Sequence, residues 1–251
     1  MATMSGTEPV EPAAPPVLLP GAAMDAFIGS IAQLAHASPV IIGGLAVMSR
    51  VGGEHRPTLD IDSVFNNETD TPTTAVLVVD GIATDEDAIQ RVRIDDALVD
   101  VIDTFPIEPD DLPDDPKDRL FVCAHRYAYE TASPVDFVGD TNRVTVRVAT
   151  VEALIAMKSH ALRFGGPERR RRKRSSDLYD VVRLTTAGTD DLLVGSPWDL
   201  RYQVRAALAA DLADLPAASA VLQGSAVQAI RDISPDVLEL VIGLLLARLS
   251  E

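Results

Sequence analysis

The sequence predicts an α+β (α/β) protein, with an N-terminal half built on a mixed sheet and a helical C-terminal module behind it. Three observations carry this expectation. Between residues 40 and 148, short apolar or alternating runs recur and are closed by glycine, proline, asparagine or aspartate, as strands are. From Thr150 onward the apolar residues fall at helical spacing instead. The composition, 47% hydrophobic and 24% charged, supports an ample core and excludes a disordered chain. The 251 residues divide accordingly into a tail (1–20), a sheet-bearing core (21–149) and helices (150–251).

Residues 1–20 hold five prolines and no periodicity, which predicts a mobile tail. Ala23, Phe27, Ile31, Leu34 and Ala35 then space a first helix. Val40-Ile41-Ile42 reads as a buried strand and Leu45 to Val51 as a helix, which puts Gly43-Gly44 at the junction between them. Leu59-Asp60-Ile61-Asp62 alternates as a strand does, and Asn66 to Thr74 is polar and turn-rich. Ala75 to Val79 reads as a strand or part of a helix. Gln90–Ile94 and Leu98–Ile102 flank Asp95-Asp96-Ala97 as a hairpin. Glu108 to Asp118 is a proline-broken acidic loop, and Leu120 to Ala128 reads as helix or strand. Val135–Val138 and Val144–Val148 read as paired strands. Thr150 caps a helix whose stripe is Leu154, Ile155, Met157, Ala161 and Leu162. Ser175 or Ser176 is expected to cap the next helix, and helices follow at Trp198–Leu215, Ser225–Ile233 and Pro235–Leu249.

The chemistry gathers between Gly43 and Asp62. A glycine pair opening a helix leaves backbone amides free for an anion. Asp60 and Asp62, two apart on a strand, project from one face while Ile61 enters the core. Paired carboxylates repel, and a hard divalent cation such as Mg²⁺, bridging them to substrate phosphates, is the usual reason for them. An EF-hand reading of Asp60-x-Asp62 fails, because the fifth position is Val64 and the required glycine is missing.

At these residues the chain resembles the DNA polymerase β-type nucleotidyltransferases. Gly43-Gly44-Leu45-Ala46 with Arg56-x-Thr58-x-Asp60-Ile61-Asp62 looks most like the AbiEii-type toxin branch, including its MenT relatives. The resemblance runs from about residue 38 to 185 and implies a nucleotidyltransferase-type fold for the N-terminal domain. It implies a third carboxylate on a later neighbouring strand, for which Asp100 has the right context. Asp103 is an odd number of residues away and should face the other side.

Lys158 and Arg163, followed by Asp177-x-x-Asp180, resemble the third and fourth motifs of the same toxins. Relatives often carry Lys where this chain has Ser176, and Lys173 or Arg174 would substitute. By this resemblance Asp60, Asp62 and Asp100 hold one or two Mg²⁺ ions, and Gly43, Gly44 and Ser49 grip an NTP. Arg56 and Thr58 support the aspartate strand or contact phosphate. Lys158 and Arg163 balance charge, and Asp177 or Asp180 orients base, ribose or acceptor.

A formal charge of −16 argues against a broad nucleic-acid surface. From Lys158 to Arg183, however, nine Lys/Arg stand against three acids, a local +6 centred on Arg169, Arg170, Arg171, Arg172, Lys173 and Arg174. That run could meet an RNA backbone, or it could be a solvated basic loop. The resemblance implies an RNA acceptor, with tRNA 3′ ends as in MenT relatives, and a cognate antitoxin protein. Transfer to a small hydroxylated molecule such as an aminoglycoside, or nucleotide binding without turnover, are the alternatives. The single Cys123, in an apolar run, is a core residue rather than part of a disulfide framework. No stretch approaches the ~20 apolar residues of a membrane span. Cytoplasm is the expected location.

Overall fold

The computed structural model describes residues 16–52, 60–69, 71–79, 82–85, 88–95, 97–188 and 190–250. β1 (Val17–Leu18) leads into α1 (Ala22–Leu34), β2 (Val40–Ile42), α2 (Gly43–Val51) and β3 (Asp60–Asn66). Then come α3 (Thr73–Val79), β4 (Ala83–Asp85), β5 (Ala88–Ile94), β6 (Ala97–Thr104) and α4 (Pro116–Thr131). β7 (Ser133–Val138) and β8 (Arg143–Val148) close the sheet. The helices α5 (Val151–Phe164), α6 (Pro167–Ala187), α7 (Leu200–Asp211), α8 (Leu215–Gln223), α9 (Gln228–Arg231) and α10 (Pro235–Arg248) complete the chain.

The described strands form one eight-stranded mixed sheet, in the order β1-β7-β8-β2-β3-β6-β5-β4. β2, buried throughout, pairs antiparallel with β3 and parallel with β8. β3 in turn pairs parallel with β6 along its whole length. β2 is buried on both faces and so reads as a continuous apolar run, whereas β3 and β6 alternate and turn their carboxylates to one face. Arg50, at the end of α2, donates to the carbonyls of Val148 and Ala149 at 2.6 and 2.9 Å and to Ser133 Oγ at 2.8 Å. That fork pins α2 against the end of β8 and fixes where its first turn points.

One continuous cluster of buried side chains runs from Leu19 through the sheet to Leu249 and crosses residue 150 without a break. Cys123 is fully buried within it.

Several expectations change. Residues 17 and 18, assigned to the tail, form β1 on the edge of the sheet, paired with Phe137 and Val138; residues 1–15 lie outside the described residues. Residues 75–79, left open as strand or helix, are helical. α4 begins at Pro116, inside the expected acidic loop, because Asp115 accepts from the amides of Lys117 and Asp118 and proline fits the first helical position. α6 begins at Pro167 rather than at Ser175 or Ser176, so the basic run is helix and not loop. Ser176 donates back to the Lys173 carbonyl within that helix. The expected helix Trp198–Leu215 is shortened to α7, and a separate helix, α8, starts at Leu215, where Asp214 caps it with Pro216 behind.

Candidate active site

The β3–β6 register is the origin of the site: Asp62 lies directly opposite Asp100, and Asp60 is two residues back on the same face. Ligand oxygens of Asp60, Asp62 and Asp100 all lie within 4.8 Å of one another. Desolvation first, and then the charge of Asp60, push the Asp62 carboxyl up to about 6; Asp100 adds to the rise, while Lys158 and Lys173 oppose it. Three crowded carboxylates on rigid strands suit a hard divalent cation, which takes oxygen ligands and relieves their repulsion. Lys173 supplies part of that relief, its Nζ standing 3.5 Å from Asp60 Oδ2.

Gly43 has φ +67°, and a Cβ there would meet Asp62 Oδ2 at 1.8 Å. The backbone at the start of α2 therefore approaches the carboxylate in a way only glycine permits. Among the described residues no side chain caps α2, which leaves its first amides to an anion, and Gly43 and Gly44 both line the adjoining cavity. This cavity, of about 860 Å³, lies within the range of small-molecule sites. Its cationic side comes from α5 and α6: Lys158, Arg169, Arg172 and Lys173. Lys158 Nζ is itself held between Asp177 Oδ1 and Asp180 Oδ2, each at 2.8 Å, and Arg169 reaches Asp177 Oδ2 at 3.0 Å. An anion cradle, a carboxylate triad and a cationic wall facing one cavity are the parts that phosphoryl chemistry requires.

The model of the family "Nucleotidyl transferase AbiEii toxin, Type IV TA system" matches residues 31–227. The chain belongs to this family. It is thus a nucleotidyltransferase of the AbiEii toxin family of type IV toxin–antitoxin systems. No curated protein sequence matches it. Among solved structures it is similar to an antigenic nucleotidyltransferase-like protein from Paracoccidioides brasiliensis, at 18% identity and a TM-score of 0.45. The match covers 81% of this chain and 93% of that one.

Of the residues singled out from the sequence, Gly43, Gly44, Asp60, Asp62, Asp100, Lys158, Arg169, Arg172, Lys173 and Asp177 meet at the nucleotidyltransferase cavity. Others do not. Ser49 donates to the Ala46 carbonyl within α2, one turn beyond the cradle. Arg163 is exposed and stacks over Phe164 at 5.8 Å, on the far side of α5 from the stripe that carries Lys158. Asp180 is fully buried against Lys158 and is not part of the cavity wall.

The basic run divides along the helix. Arg171 pairs with Glu168, Arg170 donates to the Arg163 carbonyl, and Arg174 forks onto Asp211 of α7. Arg56 and Thr58 lie outside the described residues. Asp103 faces away as the odd spacing requires, accepting from the Thr73 amide at the start of α3 and from Asn67 Nδ2.

Sequence reasoning missed Arg91. Its guanidinium forks onto Asp100, with Nε to Oδ1 at 2.5 Å and Nη2 to Oδ2 at 3.0 Å. The expected loop Asp95-Asp96-Ala97 would have set Val92 opposite Asp100; Ala97 instead belongs to β6 and pairs with Ile94, and this one-residue shift brings Arg91 opposite Asp100. It also missed Phe121, His125 and His160 on the cavity wall. Those depend on how α4 packs beside α5, which no local pattern records.

Proposed function

We propose that this AbiEii-family enzyme transfers a nucleoside monophosphate from an NTP to an RNA acceptor, a tRNA 3′ end, with Asp60, Asp62 and Asp100 binding one or two Mg²⁺ ions. The observation that carries the reading is the convergence of the three carboxylates beside the glycine turn at the start of α2. Bound Mg²⁺ would neutralise phosphate charge and make the acceptor hydroxyl a better nucleophile. The amides of Gly43 and Gly44 would hold the triphosphate. The acceptor oxygen forms a new bond to the α-phosphorus, the bond from that phosphorus to the α–β bridging oxygen breaks, and pyrophosphate leaves. The hydroxyl proton passes to water.

Lys158 and Lys173 would offset the negative charge that grows on the leaving phosphates, and Arg91 would steady Asp100. Arg169, Arg172 and Lys173 offer the RNA backbone a cationic approach on an otherwise acidic molecule. In this reading the enzyme works in the cytoplasm, where NTPs and tRNA are, and a cognate antitoxin restrains it. Among the described residues no helix is long and apolar enough to cross a membrane.

The test is incubation of the purified protein with Mg²⁺, each labelled NTP in turn, and total bacterial RNA. Label should enter a tRNA-sized band and be lost on the order of a thousandfold or more with Asp60→Ala. Undiminished labelling by Asp60→Ala would refute the metal assignment. Labelling of a small hydroxylated compound and not of RNA would refute the acceptor.

A further inference from the structure

One wall of the cavity has no part in the metal and phosphate chemistry. Phe121 and His125 lie one turn apart on α4, ring centroids 4.1 Å apart, and His160 on α5 meets Phe121 edge-on at 5.3 Å. All three line the cavity, and Phe121 is exposed there rather than packed away. An aromatic face at the rim of a cationic cavity is a stacking surface.

The two imidazoles add hydrogen-bonding character of one sign. His125 is 6% exposed, and its Nδ1 lies 2.7 Å from the Phe121 carbonyl. A carbonyl only accepts, so Nδ1 carries the proton and Nε2 a lone pair. His160 is bonded to the Lys117 backbone, and its Nε2 is buried without a partner. Burial, with no carboxylate to offset it, pushes both imidazoles down to about 4. Both are therefore neutral near pH 7, and too weakly basic to take a proton from a hydroxyl. Both offer an acceptor lone pair to the cavity, and that of His160, buried without a partner among the described residues, is costly unless a ligand completes it.

A planar group that stacks on Phe121 and offers two N–H donors from one edge atom meets both demands, whereas the single N3–H of uracil is flanked by two carbonyl oxygens that oppose the imidazole lone pairs. We propose that the Phe121–His125–His160 wall is the base subsite for the incoming nucleoside triphosphate, and that it favours bases with an exocyclic amino group over uracil. The assignment rests on the nucleotidyl-transfer reading above. It adds to that reading which face of the cavity takes the base and what selects it.

The experiment is equilibrium binding of ATP, CTP, GTP, UTP and inorganic tripolyphosphate to the full chain in Mg²⁺, without acceptor. The wild-type protein should bind at least one amino-bearing nucleotide more tightly than UTP. The double variant His125→Phe/His160→Phe keeps both rings and deletes both acceptors; it should reduce that preference by roughly tenfold. Phe121→Ala should weaken all four nucleotides by about tenfold. Tripolyphosphate affinity should hold in both variants, which also shows that they fold.

An unchanged preference in the double variant, with Phe121→Ala equally silent, would make the wall plain packing and overturn the inference while leaving the transferase reading intact. Failure of the wild-type protein to bind any nucleotide or tripolyphosphate would overturn both.

Discussion

At the scale of single residues the site is a conflict held in place by backbone geometry. Gly43 is committed twice, by its positive φ and by the 1.8 Å that would separate a Cβ from Asp62 Oδ2. Gly43→Ala should therefore displace the Asp62 carboxylate, and misplacement of about 1 Å costs on the order of a hundredfold in rate. Turnover should fall by that much while melting temperature drops by only a few degrees, since one strained residue costs ~1–2 kcal/mol.

Asp62 makes a second commitment. Its folded carboxyl titrates near 6 instead of 3.8, so the folded state holds more protons than the unfolded chain between those values. Stability should accordingly fall as pH rises from about 4 to 6 and be flat above, by roughly 3 kcal/mol. Asp62→Asn removes the titrating group. In metal-free protein this variant should gain on the wild type through that same window, and it should lose Mg²⁺-dependent transfer at every pH. Chemical denaturation at a series of pH values checks the first part, and the labelling assay checks the second.

At the scale of elements, Lys158 joins α5 to α6. Its Nζ sits between two buried carboxylates, and removing the cation leaves both without it. Lys158→Met should cost about 3–5 kcal/mol in urea unfolding. Adding Asp180→Asn should recover part of that loss, because the uncompensated charge is what destabilises; a further loss instead would mean that packing dominates.

The same pair of helices marks what the sequence could and could not reveal. The spacing of Asp60 and Asp62 gave their shared face, and the odd spacing of Asp103 removed it from the triad, since strand period is a local property. Arg91 was hidden by a hairpin loop read one residue too long, which set Val92 opposite Asp100 in place of Arg91. The start of α6 was misread, because Ser175 and Ser176 look like caps while Gly166-Pro167 provides the helix start nine residues earlier. That error placed the arginines in a loop and Asp177 in a first turn, when the run is helical and its side chains face in different directions. The His125–His160 wall depends on α4 meeting α5, which is tertiary information.

At the scale of the whole molecule, a chain of net charge −16 repels RNA except at the cavity-facing side of α6, where Arg169 and Lys173 are partly neutralised by Asp177 and Asp60 and Arg172 is exposed. Charge count alone treats the six basic residues of the run as equivalent, whereas the helix separates them. Arg172 is exposed at the cavity, and Arg174 is locked to Asp211 by two contacts of 3.0 Å. A cation already neutralised by a carboxylate releases few counterions when a phosphate approaches, so it should add little to salt dependence. Arg172→Ala should therefore lower the slope of log affinity against log salt by about 0.7, with a similar loss for every RNA sequence. Arg174→Ala should leave that slope unchanged and instead lower stability by roughly 1–3 kcal/mol, through the Asp211 carboxylate left partly buried on α7. Filter binding of tRNA between low and moderate salt, run beside thermal melts of both variants, separates the two. Equal flattening of the slope by both variants would mean that RNA tracks the entire basic run, and that the cavity-facing side of α6 holds no special place in its path.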